Sequence, residues 1–152
     1  MRDAPYYEEY AVGQRFRTLG RTVRPADLAL FVNLAGFTEP LFQDEEYAKG
    51  TPFGRPIVPG LLTLSVAEGL IIQSGLLHDR GLALVSLEEV RFRRPVFPGD
   101  TLRVEGEVAA LEEGSRPDGG MVTYRHQVVN QHGEVVLRYT VTRLVRKKGG
   151  GG

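Results

Sequence analysis

The chain has 152 residues, 41% of them apolar and 25% charged, with nineteen basic residues balancing nineteen acidic ones. That is enough apolar material for one domain with a proper core, and the even charge gives no electrostatic reason to expect nucleic acid or an anionic membrane as partner. Cysteine is absent, which excludes disulfides, thiolate nucleophiles and zinc–thiolate sites.

Residues 1–12 lack the apolar run of a signal peptide, so a cytoplasmic protein is the default. They read as a poorly ordered arm in which Tyr6, Tyr7 and Tyr10 could still find packing. Gln14 to Val23 suits a first strand. Pro25 then sits at the first turn of a helix, with Asp27 near the positive end of its dipole. Leu28, Phe31 and Leu34, with Leu30, give that helix an apolar stripe, and Gly36 stops it. Asp44 caps a short helix, Glu45 to Lys49, which Gly50 ends. Pro56 and Pro59 frame an extended approach to a longer helix, Leu61 to Leu77, apolar on nearly every side and so expected to be buried. Glu68 interrupts it, and it is too short to span a membrane.

Everything after Gly81 reads as strand and turn. Leu84 to Phe92 is strand-like, and Pro98-Gly99-Asp100 turns the chain into Thr101 to Leu111. There Leu102, Val104 and Val108 alternate with Arg103, Glu105 and Glu107, giving one dry and one wet face. Met121 to Asn130 and Glu134 to Val145 form a hairpin over Gln131-His132-Gly133, with Val135, Leu137, Tyr139 and Val141 as the inward row of the last strand. One long helix against an antiparallel sheet of five or six strands is an α+β architecture with edge strands that association can cover. A single domain spans 13–146, and the Gly-rich end, 147–152, is expected to be a disordered tail.

Two stretches carry a resemblance. One is Asp44-Glu45-Glu46-Tyr47-Ala48-Lys49 followed by Phe53-Gly54-Arg55-Pro56-Ile57-Val58-Pro59-Gly60. The other is Phe92-Arg93-Arg94-Pro95-Val96-Phe97-Pro98-Gly99-Asp100-Thr101-Leu102. Together they resemble the MaoC-like dehydratases, the (R)-specific enoyl-CoA hydratases of hot-dog fold. The resemblance implies a sheet wrapped around one helix, a dimer whose sheets join edge to edge, and an acyl-CoA or acyl-carrier-protein thioester site at the subunit interface. In that family a Gly-Asp is followed by one residue, Asn-Pro, another residue and His. The Asp and His add water across an enoyl thioester as paired acid and base. Here the run is Gly36-Phe37-Thr38-Glu39-Pro40-Leu41-Phe42. Phenylalanine neither takes nor gives a proton, so the usual hydration cannot run on Phe37 and Phe42. The family's His-Gly at the start of the long helix is Pro59-Gly60 here, and the resemblance gives the Gly60 amide the task of polarising the thioester carbonyl.

Three candidates for the chemistry remain: Gly60, Glu68 and Glu39. Glu68 stands alone on an apolar helix, where a carboxylate is rarely left without a partner, and it resembles the central-helix carboxylate of hot-dog thioesterases. A structural alternative pairs it with an arginine such as Arg91 or Arg93. Glu39 could replace part of the lost pair or be a solvated loop residue. Phe37, Phe42, Arg55 and Pro59 are placed with the substrate, and Arg55 either contacts a CoA phosphate or bonds a loop carbonyl. His78, His126 and His132 sit at no metal spacing and read as structural or surface residues. No cofactor loop and no metal-ligand set is present. Three readings follow: a divergent hydratase, a thioesterase using Glu68, and a non-catalytic thioester-binding subunit that pairs with an active hydratase subunit or with its own copy.

Overall fold

A computed structural model gives the arrangement of residues 3–150. The elements are β1 (Arg15–Arg17), β2 (Arg21–Thr22), α1 (Pro25–Ala35), α2 (Pro40–Gln43), α3 (Glu45–Lys49), α4 (Gly60–Gln73), β3 (Gly81–Phe92), β4 (Thr101–Glu112), β5 (Gly119–Val129) and β6 (Val135–Arg146). The sheet is antiparallel and six-stranded, in the order β1-β4-β5-β6-β3, with β2 also on β4. It curls around α4, whose Leu62, Leu64, Val66, Leu70 and Ile71 enter one core with Leu102, Val104, Val108, Leu137 and Val141. Each such side chain, fully buried, stabilises the fold by about 1.5–3 kcal/mol. This is the α+β hot-dog arrangement that the resemblance implies. No helix among the described residues is long and apolar enough to cross a membrane.

Several expectations are corrected. The first strand is two short ones: between Arg17, opposite Glu105, and Arg21, opposite Leu102, four steps on one chain meet three on the other. The surplus residue breaks the ladder at Thr18, whose hydroxyl instead accepts the Val104 N–H at 2.9 Å. On α1 the buried residues are Leu28 and Val32, while Leu30 and Leu34 are 70% and 89% exposed. A residue two positions from Leu28 is turned about 200° from it on a helix, and one six positions away about 240°, so neither can share its face. The α4 helix ends at Gln73 rather than Leu77, because the chain turns at Gly75, whose φ is +82°. Nor is α4 buried all round: Leu61, Ser65 and Ile72 form an exposed strip. The N-terminal arm is not loose from residue 3 onward. Tyr10 is buried in the core, and Tyr7 lies so close over Gly120 that a Cβ there would be 2.6 Å from its ring. These rings are too large to leave in water when an apolar neighbour is within reach. At the other end the Lys147 N–H donates to Asp118 O at 2.9 Å, which extends the pairing one residue past β6. The final glycines, 151–152, lie outside the described residues.

The short helix α3 starts as its sequence dictates, with Asp44 Oδ1 accepting the Tyr47 N–H at 2.9 Å. Asp44→Ala is expected to lower stability by about 1 kcal/mol in thermal unfolding, the usual worth of an N-cap. No measurable change would mean that the loop, not the cap, holds this segment.

Candidate functional site

The loops before α4 build an aromatic cavity at its N-terminus. Gly36 closes α1 in the left-handed conformation, φ +74°, and turns the chain back on itself. Phe37 therefore returns against Phe31, edge-on with ring centroids 5.1 Å apart, and stands 6.3 Å from Phe42. Pro40 starts the single turn of α2, and Gln43 Nε2 ties that turn to Thr38 O at 2.9 Å. Pro59 is the N-cap of α4 and Gly60 its first residue.

From the other side comes the end of β3. Between Glu88, opposite Thr140, and Arg91, opposite Arg138, β3 carries one extra residue, and Glu89 takes φ +51° to absorb it. That bulge leaves Phe92 facing Gly60 so closely that a Cβ on residue 60 would lie 2.8 Å from the ring. Any larger residue there would have to displace the Phe92 ring, so glycine suits the position independently of any task for its amide.

The resulting cavity, about 530 Å³, is lined by Phe37, Phe42, Phe53, Pro59, Gly60 and Phe92, with Thr63 below and Arg93 and Arg94 at its border. No carboxylate or imidazole is among its lining residues. Besides the guanidinium groups of Arg93 and Arg94, its electrostatic feature is the start of α4, where free N–H groups and the helix dipole favour a partial negative charge.

Of the residues singled out in the sequence, Phe37, Phe42, Pro59 and Gly60 meet here, whereas Glu39, Arg55 and Glu68 do not line this cavity. Glu39 is exposed as the N-cap of α2. Arg55 borders the neighbouring cavity, its guanidinium 3.9 Å over the ring of Phe97. Glu68, eight positions beyond Gly60, lies about 12 Å further along the helix axis.

There Glu68 is committed. Arg143 Nη2 donates to its two carboxylate oxygens at 2.6 and 2.8 Å, and the Tyr139 hydroxyl donates to it at 2.7 Å. Its side chain is 18% exposed and that of Arg143 8%. The partner is thus Arg143, not Arg91 or Arg93. The reason is strand alternation: Tyr139, Val141 and Arg143 share the inward face of β6, whereas Arg91 sits opposite Arg138, which is exposed. The inward row read from the sequence stopped at Val141, and extending it by two residues would have found this arginine.

His126, on β5, is 2% exposed, with Nδ1 3.9 Å from Glu68. Burial, and secondarily Arg143, lower its pKa to about 3, so the ring is neutral and the contact is no ion pair. Burial, followed by the Glu68 charge, pushes the Tyr139 hydroxyl upward, which keeps it a proton donor. His126 is a core residue, where the sequence left structural and surface roles both open.

The sequence matches the family described as "MaoC like domain" over residues 8–130. It is 32% identical over 144 residues to the mesaconyl-CoA hydratase of Cereibacter sphaeroides, a match covering 94% of this chain and 41% of that protein. The chain thus spans about two fifths of the length of that relative. It is 34% identical over 126 residues to the (R)-specific enoyl-CoA hydratase of Aeromonas caviae, covering 83% of this chain and 88% of that one. Among solved structures, the MaoC-like dehydratase from Rhodospirillum rubrum superposes with a TM-score of 0.84 at 34% identity, covering 95% of this chain and 99% of that one.

Proposed function

The chain belongs to the MaoC-like domain family, and on that premise we propose that it is an acyl-thioester-binding subunit that holds a CoA or acyl-carrier-protein thioester without itself performing the hydration. The observation that carries this is the separation of the two halves of the expected chemistry. The aromatic cavity at the start of α4 offers the Gly60 amide to a thioester carbonyl but has phenylalanine at both positions of the proton-transfer pair. The helix carboxylate that could replace the pair, Glu68, is held by Arg143 and Tyr139 well outside that cavity.

A thioesterase or a divergent hydratase would need Glu68 free to meet water or substrate, and Glu39 stands in solvent. On this reading the Gly60 N–H donates to the carbonyl oxygen and the phenylalanines exclude water. The Asp and His of a second hot-dog subunit would supply the acid and base.

The surface for such a subunit is the β3 edge, whose Leu82, Leu84, Val85 and Leu87 are exposed, continued by Leu61 and Ile72 on α4. An unpaired apolar edge of this kind invites strand addition by a like fold.

The test is a paired assay of the purified protein. Incubated with crotonyl-CoA, it is expected to leave the conjugated thioester absorbance unchanged and to release no free thiol, while acyl-CoA binds saturably in calorimetry. Turnover in either arm that Glu68→Gln abolishes would overturn the proposal and make Glu68 catalytic.

A further inference from the structure

Among the residues that line the aromatic cavity, Thr63 carries the one uncharged side chain able to form a hydrogen bond. It is 2% exposed and stands one turn of α4 beyond Gly60, on the same face of the helix. Its backbone N–H donates to Pro59 O at 3.1 Å, as the helix requires. Its hydroxyl makes no hydrogen bond to any described residue. The contrast is Ser65, two positions on and exposed, whose hydroxyl donates back to Leu61 O at 2.8 Å. Helical side chains lean toward the N-terminus, so the Thr63 side chain leans toward the turn that begins with Gly60. The walls around it are the rings of Phe37, Phe42, Phe53 and Phe92, and none of them can satisfy a hydroxyl in the plane of a hydrogen bond. Of the two arginines at the border, Arg94 is engaged by Glu134 at 3.0 Å.

We propose that Thr63 is a specificity-determining residue of the acyl site, selecting acyl groups that carry an oxygen on their second or third carbon over plain alkyl chains of the same length. The inference rests on the reading of the aromatic cavity as the acyl-thioester site. With the thioester carbonyl on the Gly60 N–H, the first acyl carbons pass the next turn of α4, and residues three apart on a helix are about 5–6 Å from each other. An oxygen two or three bonds from the thioester carbon meets the Thr63 hydroxyl there, which can donate to it or accept from it. An alkyl chain takes water away from the hydroxyl and returns nothing, which strands a polar group among phenylalanines. A site of this kind rejects the analogue without the matching group more sharply than an apolar pocket rejects one extra methylene.

The experiment measures calorimetric binding of butyryl-CoA, 2-hydroxybutyryl-CoA and 3-hydroxybutyryl-CoA to the parent protein, Thr63→Val and Thr63→Ser. In the parent, a hydroxylated thioester is expected to bind about tenfold more tightly than butyryl-CoA, the scale of one hydrogen bond made rather than lost. Thr63→Val keeps the shape of the side chain and should remove that preference, whereas Thr63→Ser, which keeps the hydroxyl, should retain it. Thermal unfolding of Thr63→Val should be unchanged or shifted upward, because the hydroxyl it removes bonds nothing in the fold. Equal affinities of the parent for all three thioesters would overturn the proposal while the acyl site stands. So would a preference that survives in Thr63→Val, above all if that variant unfolds at a lower temperature, since the hydroxyl would then serve the fold. If no thioester binds, the reading of the aromatic cavity fails and the role of Thr63 with it.

Discussion

Arg143→Met is expected to lower the stability of the fold by about 3–5 kcal/mol, because it strands the Glu68 carboxylate inside the domain without its cation. Arg143 is 6% exposed and gives Glu68 both of its short bonds from a guanidinium nitrogen. What remains after the substitution is a carboxylate with one hydroxyl donor, Tyr139, and a neutral imidazole at 3.9 Å. Desolvating such a group costs more than one hydrogen bond returns. The double variant Glu68→Met with Arg143→Met removes both charges and should recover most of the loss, since two apolar side chains of similar volume replace a pair whose own desolvation was costly. Urea denaturation of the two single variants and the double variant, compared as a cycle, decides the matter. A single variant that loses less than about 1 kcal/mol would place the pair among surface salt bridges. It would also reopen Glu68 as a free catalytic group.

Acid should weaken the fold through His126 well before it titrates most carboxylates. The histidine's folded pKa is lowered to about 3, first by burial and then by Arg143, while in the unfolded chain it is near the ordinary value of 6.5. Between those two values the unfolded state holds a proton that the folded state refuses. Stability is therefore intact above about pH 6.5 and declines as pH falls, by up to about 1.4 kcal/mol per unit. Between pH 7.5 and 5 this one residue should remove about 2 kcal/mol. Denaturation curves at both pH values, repeated on His126→Gln, separate it from every other group: the variant should lose about 2 kcal/mol less than the parent over that interval. Identical losses in parent and variant would mean that the imidazole is reached by water or paired with the Glu68 carboxylate.

Both expectations concern a polar cluster that lies where a sequence pattern speaks least clearly. The alternation of Leu102, Val104 and Val108 with charged residues already places β4 with one face in the core, and the structure agrees residue by residue. Likewise Pro25 and Gly36 bracket α1, and Asp44 and Gly50 bracket α3, because proline, glycine and capping carboxylates act on the chain within a few residues of themselves. That phenylalanine, which carries no proton-transfer group, stands at positions 37 and 42 is likewise legible without coordinates.

Other features required distance in space. The commitment of Glu68 to Arg143 joins residues 75 positions apart: strand alternation places Arg143 on the inward row of β6, but nothing local pairs it with Glu68. The bulge at Glu89, which swings Phe92 over Gly60, is set by the register of β3 against β6. The exposure of Leu30 and Leu34 depends on which side of α1 the sheet occupies. The sequence by itself determined most of the elements, the fold and the phenylalanines at 37 and 42, because propensity, periodicity and residue chemistry are local. Only the tertiary structure decided that Glu68 is spoken for and that Phe42 borders two cavities, because burial and pairing belong to the packed chain.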